Sequence, residues 1–178
     1  GVLYDALDAG SLGARERAWV AARVSIQSAL FGLIAAGDEI PAYRLSAGSR
    51  LPDLGAPLKR VWRDAHQALP WAEFGWVLDL RSKDYVELAP LPPGAGDFLL
   101  VAQRGPEGRV RALNHFNKAA KGALVRRLAE AFGGADAASS TPPIVDRAGF
   151  LAWARGAGLE VVPGPGEHEL TLVTEAGA

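Results

Sequence analysis

The sequence predicts an α+β fold, a single compact domain with a mixed sheet and packed helices, on three observations. Apolar residues recur at spacings of three and four in some segments and alternate or run together in others, so helical and strand periods are both present. The 178 residues are 49% hydrophobic and 22% charged, enough for one well-cored domain and short for two. The 21 glycines and 12 prolines divide the chain into short elements with many turns.

Residues 14–36 carry Trp19, Ala22, Ile26, Ala29, Leu30, Leu33 and Ile34, with Arg15, Glu16 and Arg23 opposite, and predict one amphipathic helix. Gly37-Asp38 ends it, and Pro41 keeps the next stretch extended. A second helix is predicted over 57–69, opened by Pro57 and closed by Pro70. Residues 76–80 form a short buried strand. Strand-like runs at 97–103 and 109–116 flank Arg104-Gly105-Pro106-Glu107-Gly108, the signature of a β-hairpin. A third helix covers 118–132, a small-residue loop 133–143, and Asp146 caps a helix over 147–155. Two last strands, 159–162 and 169–173, face each other across Pro163-Gly164-Pro165-Gly166.

Composition excludes several function classes. With no Cys there is no disulfide, zinc-thiolate site, iron–sulfur cluster or Cys nucleophile, and three scattered His do not make a metal centre. No apolar run approaches the roughly 20 residues of a membrane span, so no membrane partner is expected. The chain opens at Gly1 without Met and shows no signal-peptide pattern, which reads as a cytoplasmic protein whose N-terminal part is absent. A net charge of −1 excludes global basicity, but residues 91–130 hold seven bases (Arg104, Arg109, Arg111, Lys118, Lys121, Arg126 and Arg127) against three acids. That local excess is either a solvated face or a stripe facing phosphates.

At about 100° per residue, Ala120, Leu124, Leu128, Ala131 and Phe132 share one arc of the third helix. Arg126, Arg127 and Glu130 lie opposite, whereas Lys121 falls inside the apolar arc. Such a lysine either snorkels out or sits on the floor of a cleft. Gly122 beside it leaves room for a close approach, at about 1 kcal/mol of helix propensity.

Four segments occur in order: Leu30-Phe31-Gly32-Leu33, the run from Ile40 to Leu51 (IPAYRLSAGSRL), Asp79-Leu80-Arg81-Ser82-Lys83-Asp84-Tyr85, and His115-Phe116-Asn117-Lys118-Ala119-Ala120-Lys121-Gly122. This series resembles the YaaA family of bacterial peroxide stress proteins, its actinobacterial branch most closely. The resemblance implies a cytoplasmic protein protecting against hydrogen peroxide, with lower intracellular iron and less DNA damage. It also implies a mixed α/β fold with a basic cleft and DNA binding through a helix-hairpin-helix element. That element is expected in an N-terminal part of roughly 70–80 residues, the size of a subdomain, that this chain lacks. The family's last motif has basic residues at the positions of Lys118 and Lys121. Where some relatives carry Asn-Leu-Ala-Ser, this chain has Asp79-Leu80-Arg81-Ser82.

Three groups of residues are candidates for binding. Tyr43, Arg44 and Arg50 flank Ser46-Ala47-Gly48-Ser49, a hydroxyl-rich loop that either grips a phosphate between two guanidiniums or is an ordinary loop. Asp79, Ser82 and Tyr85 follow a strand end, and Tyr85 either stacks on a base or covers the core. His115, Asn117, Lys118 and Lys121 lie where a strand passes into a helix, a place that favours an anion. A buried Lys121 is also a candidate nucleophile or base, with Asp79 as its carboxylate partner. His66 and His168 read as surface residues. No cofactor or metal is expected. The leading expectation is DNA or nucleotide binding through a basic cleft. The alternatives are an enzyme acting on a nucleobase or N-glycosidic bond, and an interaction module for an acidic partner.

Overall fold

In a computed structural model, residues 1–105, 110–112, 116–134 and 142–175 are described, the side chains of 110–112 and 116 excepted. The fold is α+β, with two sheets and the expected mixture of parallel and antiparallel pairs. Before the first expected element comes α1 (Val2–Leu7), followed by a short 3-10 turn, Ala9–Ser11. Asp8 takes a left-handed conformation, and its N–H caps α1 by donating to the Tyr4 carbonyl.

The long helix expected over 14–36 does not form. Helix α2 (Ala14–Arg23) stops at Val24, and strands β1 (Ser25–Ser28) and β2 (Gly32–Ala35) pair as an antiparallel hairpin. Two local features redirect the chain. Ser28 Oγ accepts hydrogen bonds from the Leu30 and Phe31 N–H groups (3.1 and 2.9 Å), closing a turn that competes with helix. Gly32 has φ +77°, and a Cβ there would stand 2.8 Å from the Trp62 ring. The apolar spacing of three and four is shared by the strands and turns of this hairpin, so periodicity alone cannot separate the two outcomes.

Helix α3 (Leu58–His66) runs within the expected limits, behind Pro57. His66 is buried and not a surface residue. Its Nδ1 lies 2.7 Å from the Trp62 carbonyl and 3.2 Å from that of Leu88, which makes Nδ1 the protonated nitrogen. Trp62 Nε1 donates to Ala29 O at 2.8 Å, so the hairpin turn and α3 are joined.

Strand β3 (Val77–Asp79) lies parallel to β4 (Gly96–Arg104), with Asp79 in register with Phe98. Helix α4 (Lys83–Val86) connects them. Strand β4 is also parallel to β7 (Glu169–Glu175), and β6 (Glu160–Pro163) closes the far edge antiparallel to β7. Strand β5 (Val110–Ala112) pairs antiparallel with the end of β4, as the hairpin signature required. It ends well before Phe116, where helix α5 (Phe116–Gly133) begins. The turn 106–109 and most of the 133–143 loop lie outside the described residues. Helix α6 (Arg147–Gly156) is capped by Asp146, whose Oδ1 accepts from Gly149 N–H at 2.7 Å.

Helix α5 serves two cores. Leu124 and Leu128 join Leu99, Val101, Phe150, Leu170 and Leu172 against the sheet. Val125 and Ala129 join Leu7, Leu12 and Val20 against α1 and α2. The helix is therefore buried over a wider arc than its sequence suggests, and Lys121 lies on the boundary between its two apolar faces. Arg126, expected on the wet side, donates to the Leu7 and Asp8 carbonyls and to Ser11 Oγ, holding the end of α1. At the start of β4, Asp97 is buried, which would push its carboxyl up. Hydrogen bonds from Arg147 and Trp76 outweigh that and hold it below the ordinary range, tying β4 to α6.

Candidate functional site

The turn after β3 gathers the polar groups that the core cannot solvate. Asp79 is 4% exposed, and Arg81, two residues on, grips it bidentately: Nε to Oδ1 at 2.9 Å and Nη2 to Oδ2 at 2.7 Å. The Arg81 N–H also donates to Oδ1 at 3.1 Å. The third guanidinium nitrogen, Nη1, reaches Gln27 Oε1 at 3.2 Å and so joins β1 to this turn. Burial of such a pair is tolerated because both ions are hydrogen-bonded.

Lys121 meets the same turn from α5. It is 3% exposed, its Nζ donates to Arg81 O at 3.3 Å, and Nζ sits 5.0 Å from the centre of the Phe98 ring. Burial pulls its pKa down from 10.5 to about 8, and the Asp79 charge opposes that only in part. At pH 7 about a tenth of the amine is then neutral, against roughly 0.03% for an ordinary lysine. Asn117 lies one turn earlier on α5. Its Oδ1 and Gln27 Nε2 are buried without a partner among the described residues, an acceptor and a donor beside the Arg81–Lys121 contact.

The Asp79→Asn variant tests this arrangement. Loss of the carboxylate leaves Arg81 buried without its counter-ion, with an expected cost of about 3 kcal/mol in urea unfolding. It also removes the charge that raises the Lys121 pKa, so that pKa falls further below 8.

The three tyrosines lie near one another. The pKa of Tyr4 is pushed up, by burial first and then by the Tyr43 and Tyr85 hydroxyls, which places the three phenols within electrostatic reach. Tyr43 Oη lies 2.8 Å from Ser28 Oγ, and its ring meets Phe31 edge-on. Ser28 Oγ already accepts two N–H groups, so its proton goes to Tyr43, and the Tyr43 O–H keeps its own proton to donate. Tyr85 is half-buried on α4.

Thus Asp79 and Lys121 meet where α5 reaches the turn after β3, with Asn117 one turn earlier on α5, and Tyr43 and Tyr85 both lie within electrostatic reach of Tyr4. Ser82 is exposed at the start of α4 and makes no side-chain cap. Arg44 and Arg50 are exposed and make no ion pair among the described residues. The loop between them is held by its own serines, Ser46 N–H donating to Ser49 Oγ at 3.0 Å. Lys118 is exposed, and His115 lies outside the described residues.

Of the five bases of the stripe whose side chains are described, three arginines are engaged within the fold. Arg104 pairs with Glu160 and Glu175, Arg126 with Glu130 and Asp8, and Arg127 donates to the Ala157 carbonyl. Arg109 and the Arg111 side chain lie outside the described residues, which leaves Lys118 exposed and Lys121 buried.

Gln27, Ser28, Arg81 and Tyr4 are absent from the residues expected from sequence. Arg81 carried the one available signal, its spacing of two from Asp79, which returns a side chain to the same side of an extended chain.

Comparison with known proteins bears on this site. Residues 1–133 match the family described as peroxide stress protein YaaA. The chain is 38% identical to a UPF0246 protein of Corynebacterium efficiens, over 97% of this chain and 66% of that one. It is 43% identical to a UPF0246 protein of Streptomyces coelicolor, over 72% of this chain and 50% of that one. A UPF0246 protein of Ruegeria is 34% identical over 61% of this chain. The chain spans between half and two thirds of the length of the first two relatives. The match covers β3, α4 and the whole of α5, and on it the chain belongs to the YaaA family of peroxide stress proteins.

Proposed function

We propose that this protein acts in the cytoplasmic response to peroxide by binding DNA or a nucleotide-sized part of it at the tyrosine face. The observation that carries this is the grouping of the exposed Tyr4 and Tyr43 with Tyr85, within electrostatic reach of one another. Tyrosine rings offer bases a stacking surface that tolerates any sequence. Arg44 follows Tyr43 directly and, with Arg50 and Lys118, supplies exposed cations for phosphates. Protection of DNA then accounts for the family's place in peroxide stress.

The test is a fluorescence titration of single-stranded and partly melted DNA at two salt concentrations. Three phosphate contacts weaken single-strand binding about twentyfold between roughly 50 and 200 mM salt. An Arg44→Ala/Lys118→Ala double variant is expected to lose most of that binding and most of the salt dependence. Salt-insensitive binding, or a double variant that binds like the parent, overturns the reading.

The lowered pKa of Lys121 favours a second reading, an enzyme acting on a nucleobase or an N-glycosidic bond. A neutral Lys121 amine would condense with the sugar aldehyde of an abasic site, releasing water, and borohydride would reduce the imine to a stable amine. Borohydride trapping that Lys121→Met abolishes is the expected signature. No trapped product from the parent chain rejects lyase chemistry.

A further inference from the structure

We propose that the cleft between α4 and the N-terminal ends of β4 and β7 binds an uncharged, flat heterocycle bearing hydrogen-bond donors and acceptors, of the class of a nucleobase or nucleoside. The cleft has a volume of about 430 Å³, within the ~300–1,000 Å³ of small-molecule sites. It is separate from the tyrosine face. On α4, Lys83, Val86 and Glu87 fall within an arc of about 100°, whereas Tyr85 points roughly the opposite way.

Phe98 and Val86 supply the apolar surface of the cleft. Phe98 is held by its backbone: it pairs with Glu169 in the β4–β7 register, and its N–H donates to the His168 carbonyl at 2.9 Å. Its ring also carries the Lys121 ammonium, which fixes its position. A ring so held, bordering a cleft, suits a stacking partner.

Charge selects the class of ligand. Two bases, Lys83 and His168, line the cleft with two acids, Glu87 and Glu169. Glu87 accepts from Lys59 at 2.9 Å and Glu169 from the Gly166 N–H at 3.0 Å. Lys83 and the Lys59 ammonium bound to Glu87 balance the two carboxylates, so a polyphosphate gains nothing there. A neutral heterocycle finds donors in Lys83 and His168 and acceptors in the two carboxylates.

The experiment is calorimetric titration of the chain with adenosine at about 50 and 500 mM salt, with adenosine monophosphate and inorganic phosphate alongside. Saturable adenosine binding that changes less than about twofold with salt is expected, since no phosphate is neutralised. Phe98→Ala is expected to weaken it about tenfold or more, the usual effect of losing a stacking ring. Phe98→Ala also disturbs Lys121, so His168→Ala, on an exposed side chain, is the second variant, expected to weaken binding about threefold or more. No saturation up to about 10 mM overturns the proposal, as does His168→Ala binding like the parent or tighter binding of the monophosphate at low salt. Failure here leaves the tyrosine face untouched, because that site is read with Arg44 and Lys118 in the salt-dependent DNA titration.

Discussion

Lys121→Met raises the stability of the fold near pH 7 by about 3 kcal/mol, the value of a pKa held at about 8 in the folded state against 10.5 in the unfolded one. Below pH 8 the lysine is charged in both states, so the cost of burying the ammonium is carried in full. Between pH 8 and 10.5 the unfolded chain binds the extra proton, and stability rises with pH at up to about 1.4 kcal/mol per unit. Above 10.5 the amine is neutral in both states and the cost is gone. The parent chain is therefore expected to gain on the Met variant from pH 8 to 10.5 and to match it beyond, as read by urea unfolding. Equal stabilities at pH 7 reject the claim. A residue that costs its fold this much is held for something other than packing.

Gly122→Ala has the opposite sign and a similar size. In a free helix alanine would gain about 1 kcal/mol over glycine. Here its Cβ would stand 2.1 Å from the Leu3 carbonyl oxygen and 3.0 Å from Ala6 Cβ, so α1 must move away from α5. That collision is with backbone, and the net loss is expected to be about 3 kcal/mol. Because α1 carries Tyr4, the variant is also expected to move Tyr4 away from Tyr43 and Tyr85 and so to weaken the DNA binding proposed above. Gly156→Ala, where a new Cβ meets nothing within 4 Å, is the control and leaves melting unchanged or slightly higher. A Gly122→Ala chain that melts with the parent contradicts the packing of α1 on α5.

The close approach that Gly122 permits is thus made by the chain's own α1, and no ligand is needed to explain it. Elements whose signals are local were legible in the sequence: Pro57 before α3, Asp146 before α6, and the turn residues between β6 and β7. The hairpin β1–β2 was not legible, because its decisive features, the Ser28 turn and the fit of Gly32 against Trp62, depend on a helix 30 residues away or on a side-chain bond that periodicity does not encode. Misreading it as helix hid Gln27 and Ser28. The same long-range contact hid the burial of His66, whose Nε2 would stand 3.1 Å from a Cβ at position 32.

At the site, Lys121 betrayed itself by lying in an apolar arc, and of the two outcomes open to it the structure shows burial. Its partners were less visible. Asp79 and Arg81 form a local pair, but their joint contact with Gln27 and Lys121 arises only when β1, β3 and α5 meet. The basic excess over 91–130 was a weaker guide, since Arg104, Arg126 and Arg127 spend their charge inside the fold. Exposed cations come instead from Arg44, Arg50 and Lys118, which lie in separate parts of the sequence.

The most direct measurement is the titration of the four lysines by NMR of chains labelled at the lysine ε-carbon, with Lys121→Met identifying the resonance. One lysine titrating near pH 8, absent from the Met variant, is the expected result. No lysine titrating near pH 8 would mean that Lys121 reaches water, and the buried centre of the site would be lost.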